Sequence, residues 1–442
     1  MQAIFKNLGI YVHVPFCAKA CSYCRFYKRA PTPLDMDSYI EAIGEEIGLV
    51  RALSEGAFHS EGDCAATHEK DICEGGAGRL PNGARPHEET LQPLRHLAPG
   101  ICRRQDCTGS VDPVMDTSAR QLRADTVFWG GGTPSVLSEA RMEKLADMLS
   151  VFGKASEWTV EVAPTGLTKS KLSLLKSLGV NRISMGVQSF NEKTLAALGR
   201  GHSLAAVRKA MDLVAEQAFE HFNIDLIFCA RGQEMREWLE DLSEAAAQPV
   251  DHISAYCLES ETATSSCVGR LSRQDLSRLD READFMLATM RRLPELGFLQ
   301  YEVSNYSKPG CQCLHNLSVW NMARWIGLGP SAASQWRATR ARNPDSLELW
   351  ARALKGGVFQ NCDVVRLSER TLFADCIIFG LRTRRGVDLR ALCERFPSVD
   401  ASRFYRAANG LAERGLLIVD SGAIRLTDEG ITLADSVAAE FL

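Results

Sequence analysis

Apolar residues along this chain fall into short strand-like runs that alternate with longer amphipathic stretches. The run Gly9–Val14 comes first, then a helix pattern near Asp35–Ala52. Thr126–Trp129 precedes a helix near Ser138–Leu149, and Trp158–Val162 precedes the helix-patterned TKSKLSLLKSLG. That segment closes on Gly179, a residue suited to the left-handed position just past a helix end. Arg182–Met185 follows, with helices around Glu192–Leu198 and Ala205–Glu216. Phe222–Phe228 and His252–Leu258 flank the helix Met235–Ala247, and a long helix around Leu276–Leu296 leads to Gln300–Val303. Repeated β–α alternation predicts an α/β fold with a parallel sheet, wholly or partly closed into a (β/α) barrel. In such barrels ligand-handling residues gather at the C-terminal ends of the strands.

Two segments break the rhythm. Residues 55–122 are rich in Gly, Pro, His and Glu and interrupt a β–α–β unit, which reads as a low-complexity insertion forming a mobile surface loop. The insertion carries Cys64, Cys73, Cys102, Cys107 and four histidines, at spacings that match no familiar metal-ligand pattern. Towards the C-terminus the alternation gives way to helices followed by GLLIVDSGAIRLT, where Asp420-Ser421-Gly422 signals a β-hairpin. The resulting division is a partial barrel over 1–54 and 123–335, the insertion 55–122, and a small helical, winged-helix-like domain over 336–442. From Arg366 onward eleven basic residues balance eleven acidic ones, so that domain lacks an electrostatic basis for binding DNA.

Composition narrows the classes. A net charge of −4 leaves no footprint for nucleic acid, and no run approaches the roughly 18 apolar residues that a membrane span needs. Fifteen cysteines without an export signal predict reduced thiols and a cytoplasmic location.

Three of those thiols stand together. Cys17, Cys21 and Cys24, in YVHVPFCAKACSYC, form a CxxxCxxC set just past the first strand. A structural zinc site takes four protein ligands. Three thiolates instead suit a [4Fe–4S] cube with one iron left open, although a zinc clasp or incidental buried thiols are the blander alternatives. Gly130-Gly131-Gly132-Thr133-Pro134 follows the next strand, where glycines permit close backbone approach to a ligand or simply a tight βα turn. Glu161, Gln188 and Arg200 lie at or beyond later strand ends, and Asp225 lies inside an apolar strand, where a carboxylate needs a partner or a ligand.

The runs YVHVPFC, FWGGGTPSVLS, GVNRISMGVQSFNEKTLAALGR, NIDLI, YEVSNYSKPG and CxHN resemble the oxygen-independent coproporphyrinogen III oxidase family of the radical S-adenosylmethionine superfamily. Within it, the resemblance is nearest to the HemW-type heme chaperone branch. It implies a [4Fe–4S] cluster on Cys17, Cys21 and Cys24 with S-adenosylmethionine on the open iron. Tyr11, Tyr23, Gly131, Gly132, Thr133, Glu161, Gln188, Arg200 and Asp225 would then be cofactor contacts. It also implies heme as cargo, heme-acceptor proteins as partners and an electron donor such as flavodoxin or ferredoxin. The other branch would instead decarboxylate coproporphyrinogen III to protoporphyrinogen IX. The oxidase pattern has a further cysteine two residues past the triad, where this chain has Phe26, and this favours the chaperone branch. His315 and Cys313, in CLHNLSVW, are the candidate heme ligands, with Val319 where the family motif has tyrosine. A histidine that merely hydrogen-bonds the barrel's end to the C-terminal domain is the alternative. FCARGQ departs from the family's GLPGQ at Cys229 and Arg231, which puts that turn's geometry in question.

Overall fold

A computed structural model describes residues 7–19, 21, 23–54, 122–258, 273–336 and 338–442. The insertion and its cysteines lie outside the described residues, except for Leu122. Twelve strands form one sheet: β1 (Leu8–Val14), β2 (Thr126–Gly131), β3 (Glu157–Val162), β4 (Arg182–Gln188), β5 (His221–Phe228), β6 (His252–Cys257), β7 (Leu299–Gln300), β8 (Asn305–Ser307), β9 (Arg324–Leu328), β10 (Ala333–Trp336), β11 (Thr339–Arg342) and β12 (Cys362–Arg366). The order is β12-β11-β10-β9-β1-β2-β3-β4-β5-β6-β8-β7. β9 and β1 to β6 all run parallel, and antiparallel strands extend both edges, giving an open, partial barrel.

Successive side chains on a strand point to opposite faces, so each parallel strand carries two sequences in one. Ile183, Met185 and Val187 of β4 and Phe222, Ile224, Leu226 and Phe228 of β5 are buried in the core. The alternate positions, Arg182 and Ser184 on β4 and Asn223 and Asp225 on β5, line a cavity on the other side. Helices Glu139–Leu149, Lys169–Ser177, Leu204–Gln217 and Met235–Ala247 bury apolar residues such as Leu145, Leu172, Met211 and Trp238 in that same core. Ser138, Thr168 and Ser203 start the first three by accepting backbone N–H groups of the opening turn. Among the described residues no helix is long and apolar enough to cross a membrane.

The sheet does not stop at 335, where the barrel was expected to end. β10 spans that position, and β11 and β12 carry the sheet on to Arg366. Their sequences, ASQW, TRAR and CDVVR, lack the apolar runs of the buried strands because they form a largely solvent-facing edge. Beyond them, helices Glu369–Leu381, Leu389–Arg395 and Ser402–Glu413 pack with β13 (Val387–Asp388), β14 (Leu417–Asp420) and β15 (Ala423–Leu426) in the order β13-β15-β14. The hairpin turns at Ser421 and Gly422, whose φ values of 50° and 88° are those of a type I′ turn. This domain docks on the barrel through backbone bonds, Val303 N–H to the Arg382 carbonyl at 2.9 Å and Arg384 N–H to the Tyr301 carbonyl at 3.0 Å.

Candidate functional site

The cysteine loop leaves the C-terminal end of β1 and is tied off at its base. Cys17 N–H donates to the Arg29 carbonyl at 3.0 Å, and Arg29 N–H donates back to Pro15 at 2.7 Å. Cys17, Cys21 and Cys24 therefore project from a closed loop at one end of the cavity, whose wall all three join. Burial raises the pKa of the Cys17 thiol most; Thr133, with Oγ1 3.6 Å from the sulfur, offsets part of this, and Cys24 and Cys21 add to it. Phe26 lies at the same rim with 61% of its surface exposed.

The glycine run meets this loop at once, because β1 and β2 pair in register as Val12 with Trp129 and Val14 with Gly131. Gly132 N–H donates to the Val14 carbonyl at 2.8 Å and Thr133 N–H to the Phe16 carbonyl at 2.7 Å. A Cβ on Gly132 would sit 2.6 Å from the Phe16 oxygen and 2.7 Å from the Val14 oxygen, so only glycine fits there. Gly131, at φ 100°, donates its N–H to Glu161 Oε2 at 3.2 Å. Tyr11 and His13 stand beside it on β1. His13 Nε2 donates to the Tyr27 carbonyl at 2.9 Å, which leaves Nδ1 to accept the Tyr11 hydroxyl at 3.1 Å.

The opposite wall is acidic. Glu161 is driven up to a pKa of about 8 by burial and then by Asp225. Asp225 is raised too, chiefly by burial, while Ser254, Asn223, Ser184 and Arg200 offset the shift. Asn223 Nδ2 bridges Ser184 Oγ at 2.7 Å and Asp225 Oδ1 at 2.9 Å. Gln188 occupies φ 75° where β4 slips against β5, and its amide lies over Gly186, where an added Cβ would be 2.8 Å from Nε2. Arg200 sets its guanidinium 5.6 Å over the Tyr23 ring, and its buried Nε meets no protein acceptor.

The cavity, about 590 Å³, continues from this rim to the N-terminal strand ends. Arg182 Nε there pairs with Glu157 Oε2 at 3.0 Å, both side chains being almost wholly buried. Glu157 also accepts the backbone N–H groups of Leu314 at 3.0 Å and His315 at 2.9 Å and the Cys313 thiol at 3.3 Å. Cys313 and Asn316 line the cavity floor. His315 is buried; its Nδ1 lies 2.9 Å from Thr126 Oγ1, its ring lies 5.2 Å from Phe128, and burial lowers its pKa to about 4. The imidazole is thus neutral and ties helix Leu314–Trp320 to β2.

Eleven of the twelve residues assigned to cluster and cofactor line one cavity, all but Tyr11 of β1; Cys313 lines its floor, and His315 is not in its wall. Ser184, Asn223, His252, Ser254 and Tyr256 join the wall without having been singled out from the sequence. The signal was present as polar residues at every second position of β4, β5 and β6.

Comparison with known proteins bears on this arrangement. Residues 114–245 match the model of the Radical SAM superfamily. The match begins past the cysteine triad, since the insertion separates β1 from β2 in sequence while the sheet keeps them paired. Residues 367–433 match the model of the HemN C-terminal domain. Over its whole length the chain is similar to relatives named heme chaperone HemW. One from Bacillus subtilis is 26% identical over 98% of both chains, and one from Mycobacterium tuberculosis H37Rv is 28% identical over 99% of this chain and 95% of its own. A mouse relative, radical S-adenosyl methionine domain-containing protein 1, mitochondrial, is 27% identical and aligns over 100% of this chain and 88% of its own. Among solved structures, Escherichia coli coproporphyrinogen III oxidase shares the fold with a TM-score of 0.72 at 19% identity, covering 100% of this chain and 91% of that one.

The residues present fit the groups the superfamily uses. Three thiols share one closed loop, and Gly132 leaves no room for a side chain beside them. Two buried carboxyls, Glu161 and Asp225, suit a ligand bearing an amino group and a sulfonium. The unmatched Arg200 Nε is a donor suited to the same ligand's acceptor groups.

Proposed function

We propose that this chain is a radical SAM protein that binds a [4Fe–4S] cluster, S-adenosylmethionine and heme, and delivers the heme to acceptor proteins. End-to-end similarity to relatives named heme chaperone carries the reading. Cys17, Cys21 and Cys24 would hold the cluster. Gly131, Gly132 and Thr133 would bring backbone polar groups to the methionine end of S-adenosylmethionine, with Tyr11 backing Glu161. Glu161, Gln188, Arg200 and Asp225 would take its charged and hydroxyl groups, with Tyr23 under Arg200. When bound, cluster and cofactor supply one-electron chemistry at the sulfonium, with electrons from a flavodoxin- or ferredoxin-type donor. The protein's own part is to orient the ligand on a wall whose two buried carboxyls are held above the ordinary carboxylate range.

Phe26, in place of a further cysteine, supports a carrier over an oxidase. Cys313 would offer a thiol to heme from the cavity floor. His315 would become a ligand only on leaving Thr126. Heme titration of the purified protein, followed by its visible absorption, should show saturable binding weakened by Cys313→Ala or His315→Ala. No saturable binding, or binding that neither change affects, overturns the heme assignment. Anaerobic incubation of the reconstituted protein with coproporphyrinogen III, S-adenosylmethionine and reductant should yield no carbon dioxide in step with 5′-deoxyadenosine. Coupled release of the two would favour the decarboxylating oxidase.

A further inference from the structure

The N-terminal face of the sheet, opposite the cysteine loop, carries a second set of ligand-type side chains. His221 is the first residue of β5, Asp251 directly precedes β6, and Cys311 lies in the turn between β8 and helix Leu314–Trp320. One ligand atom from each lies within 4.8 Å of the other two, and all three residues are partly exposed, within reach of an ion from solvent. His221 Nδ1 is 2.6 Å from Asp251 Oδ2, and Asp251 Oδ1 accepts the Phe222 N–H at 3.0 Å, which fixes the carboxylate's plane. On the far side of the ring, His221 Nε2 faces Glu220 Oε1 at 3.9 Å. An imidazole with one nitrogen toward a ligand cluster and the other toward a carboxylate is the usual setting of a metal-binding histidine.

The third donor is also held in place. Arg182 Nη2 donates at 3.1 Å to the carbonyls of both Cys311 and Gln312, and Cys311 N–H donates to Lys308 at 3.1 Å. Two cations lie near the cluster and favour the ionised forms of its thiol and carboxyl. Arg182 is paired with Glu157, and Lys308 Nζ lies 5.3 Å over the Phe298 ring.

We propose that His221, Asp251 and Cys311 bind one divalent ion of the zinc class, at a site separate from the cysteine triad. One thiolate, one imidazole and one carboxylate suit a borderline-soft ion, whereas calcium and magnesium take oxygen ligands. Three protein donors leave the fourth position to water. Binding releases the Cys311 thiol proton and the proton shared by His221 and Asp251 to solvent, with no change of oxidation state. The ion would staple the 308–313 turn to β5 and β6, and that turn runs directly into Cys313 and His315. The inference is independent of whether heme is carried.

The full chain is the reagent for the test. Zinc should slow alkylation of Cys311, read at that cysteine by mass spectrometry, by at least about tenfold. Asp251→Asn and His221→Ala should each remove that protection. Cobalt should give a thiolate-to-metal charge-transfer band whose Cys311 share is lost in Cys311→Ser, with unchanged circular dichroism. Equal alkylation with and without zinc in the unaltered protein overturns the site, and so does a cobalt spectrum indifferent to Cys311→Ser.

Discussion

Glu161 and Asp225 are buried in the wall of one cavity, and the stability of the ligand-free protein should carry their signature. The folded-state pKa of Glu161, about 8, lies above the ordinary carboxyl value of 4.5. The fold therefore favours the protonated form. That contribution is complete below about pH 4.5 and is lost as pH rises through 8. Glu46 and Glu302, both raised to about 7 by burial, share the earlier part of the decline. Glu161→Gln should flatten the fall in melting temperature between about pH 4.5 and 8, most completely near pH 8, where Glu46 and Glu302 have already lost most of their protons. The same change should weaken S-adenosylmethionine binding about 10- to 100-fold by calorimetry, the usual worth of a hydrogen bond to a charged group. A carboxylate inside NIDLI was legible from the sequence because it is conspicuous among apolar neighbours. Asn223, Ser184 and Ser254, the residues that hold it, were not, because small polar residues in a strand look the same on a solvent face or a cavity wall.

At the scale of elements, the βα turns carry most of what the sequence left open. FCARGQ keeps a compact turn without the expected glycine. Cys229 itself takes φ 61°, Gly232 takes φ 74°, and Ala230 and Gln233 close the turn with a backbone bond of 3.1 Å. A residue with a Cβ in that left-handed region costs about 1–2 kcal/mol. Cys229→Gly should relieve it, less the added entropy of the unfolded chain, for a net gain of about 0.5–1 kcal/mol in urea unfolding. The parallel strands and their helices were readable because periodicity of 2 and of 3.6 residues differ plainly in buried elements. β10, β11 and β12 were not. Each is short and half-exposed, and its pairing partner, not its own pattern, makes it a strand.

Across the whole molecule, Glu157 and Arg182 join parts that lie far apart in sequence. Glu157 receives the start of helix Leu314–Trp320, and Arg182 receives the 311–312 carbonyls. Together they set the cavity floor and the approach of the C-terminal domain. Removing one member of a buried ion pair strands the other charge, so Glu157→Ala should cost about 3–5 kcal/mol in denaturant unfolding. Replacing both, with Arg182→Leu added, should recover part of that loss. A double variant as unstable as the single would show that the bonds to the 311–315 segment, and not the stranded charge, carry the effect.

The chain's local chemistry was determined by sequence alone. The three closely spaced thiols, the glycine run after a strand, the β–α alternation and the Asp-Ser-Gly hairpin each depend on neighbours within a few residues. What tertiary structure decided is which of these meet. Pairing of β1 with β2 across the insertion sets Gly132 against Phe16, parallel register brings Glu161 to Asp225, and Glu157 draws Cys313 to the cavity floor. The reason is physical. Spacing along the chain fixes what can form in one turn or strand, whereas a cavity is made by alternate side chains of several strands, whose common face exists only once the sheet has curved.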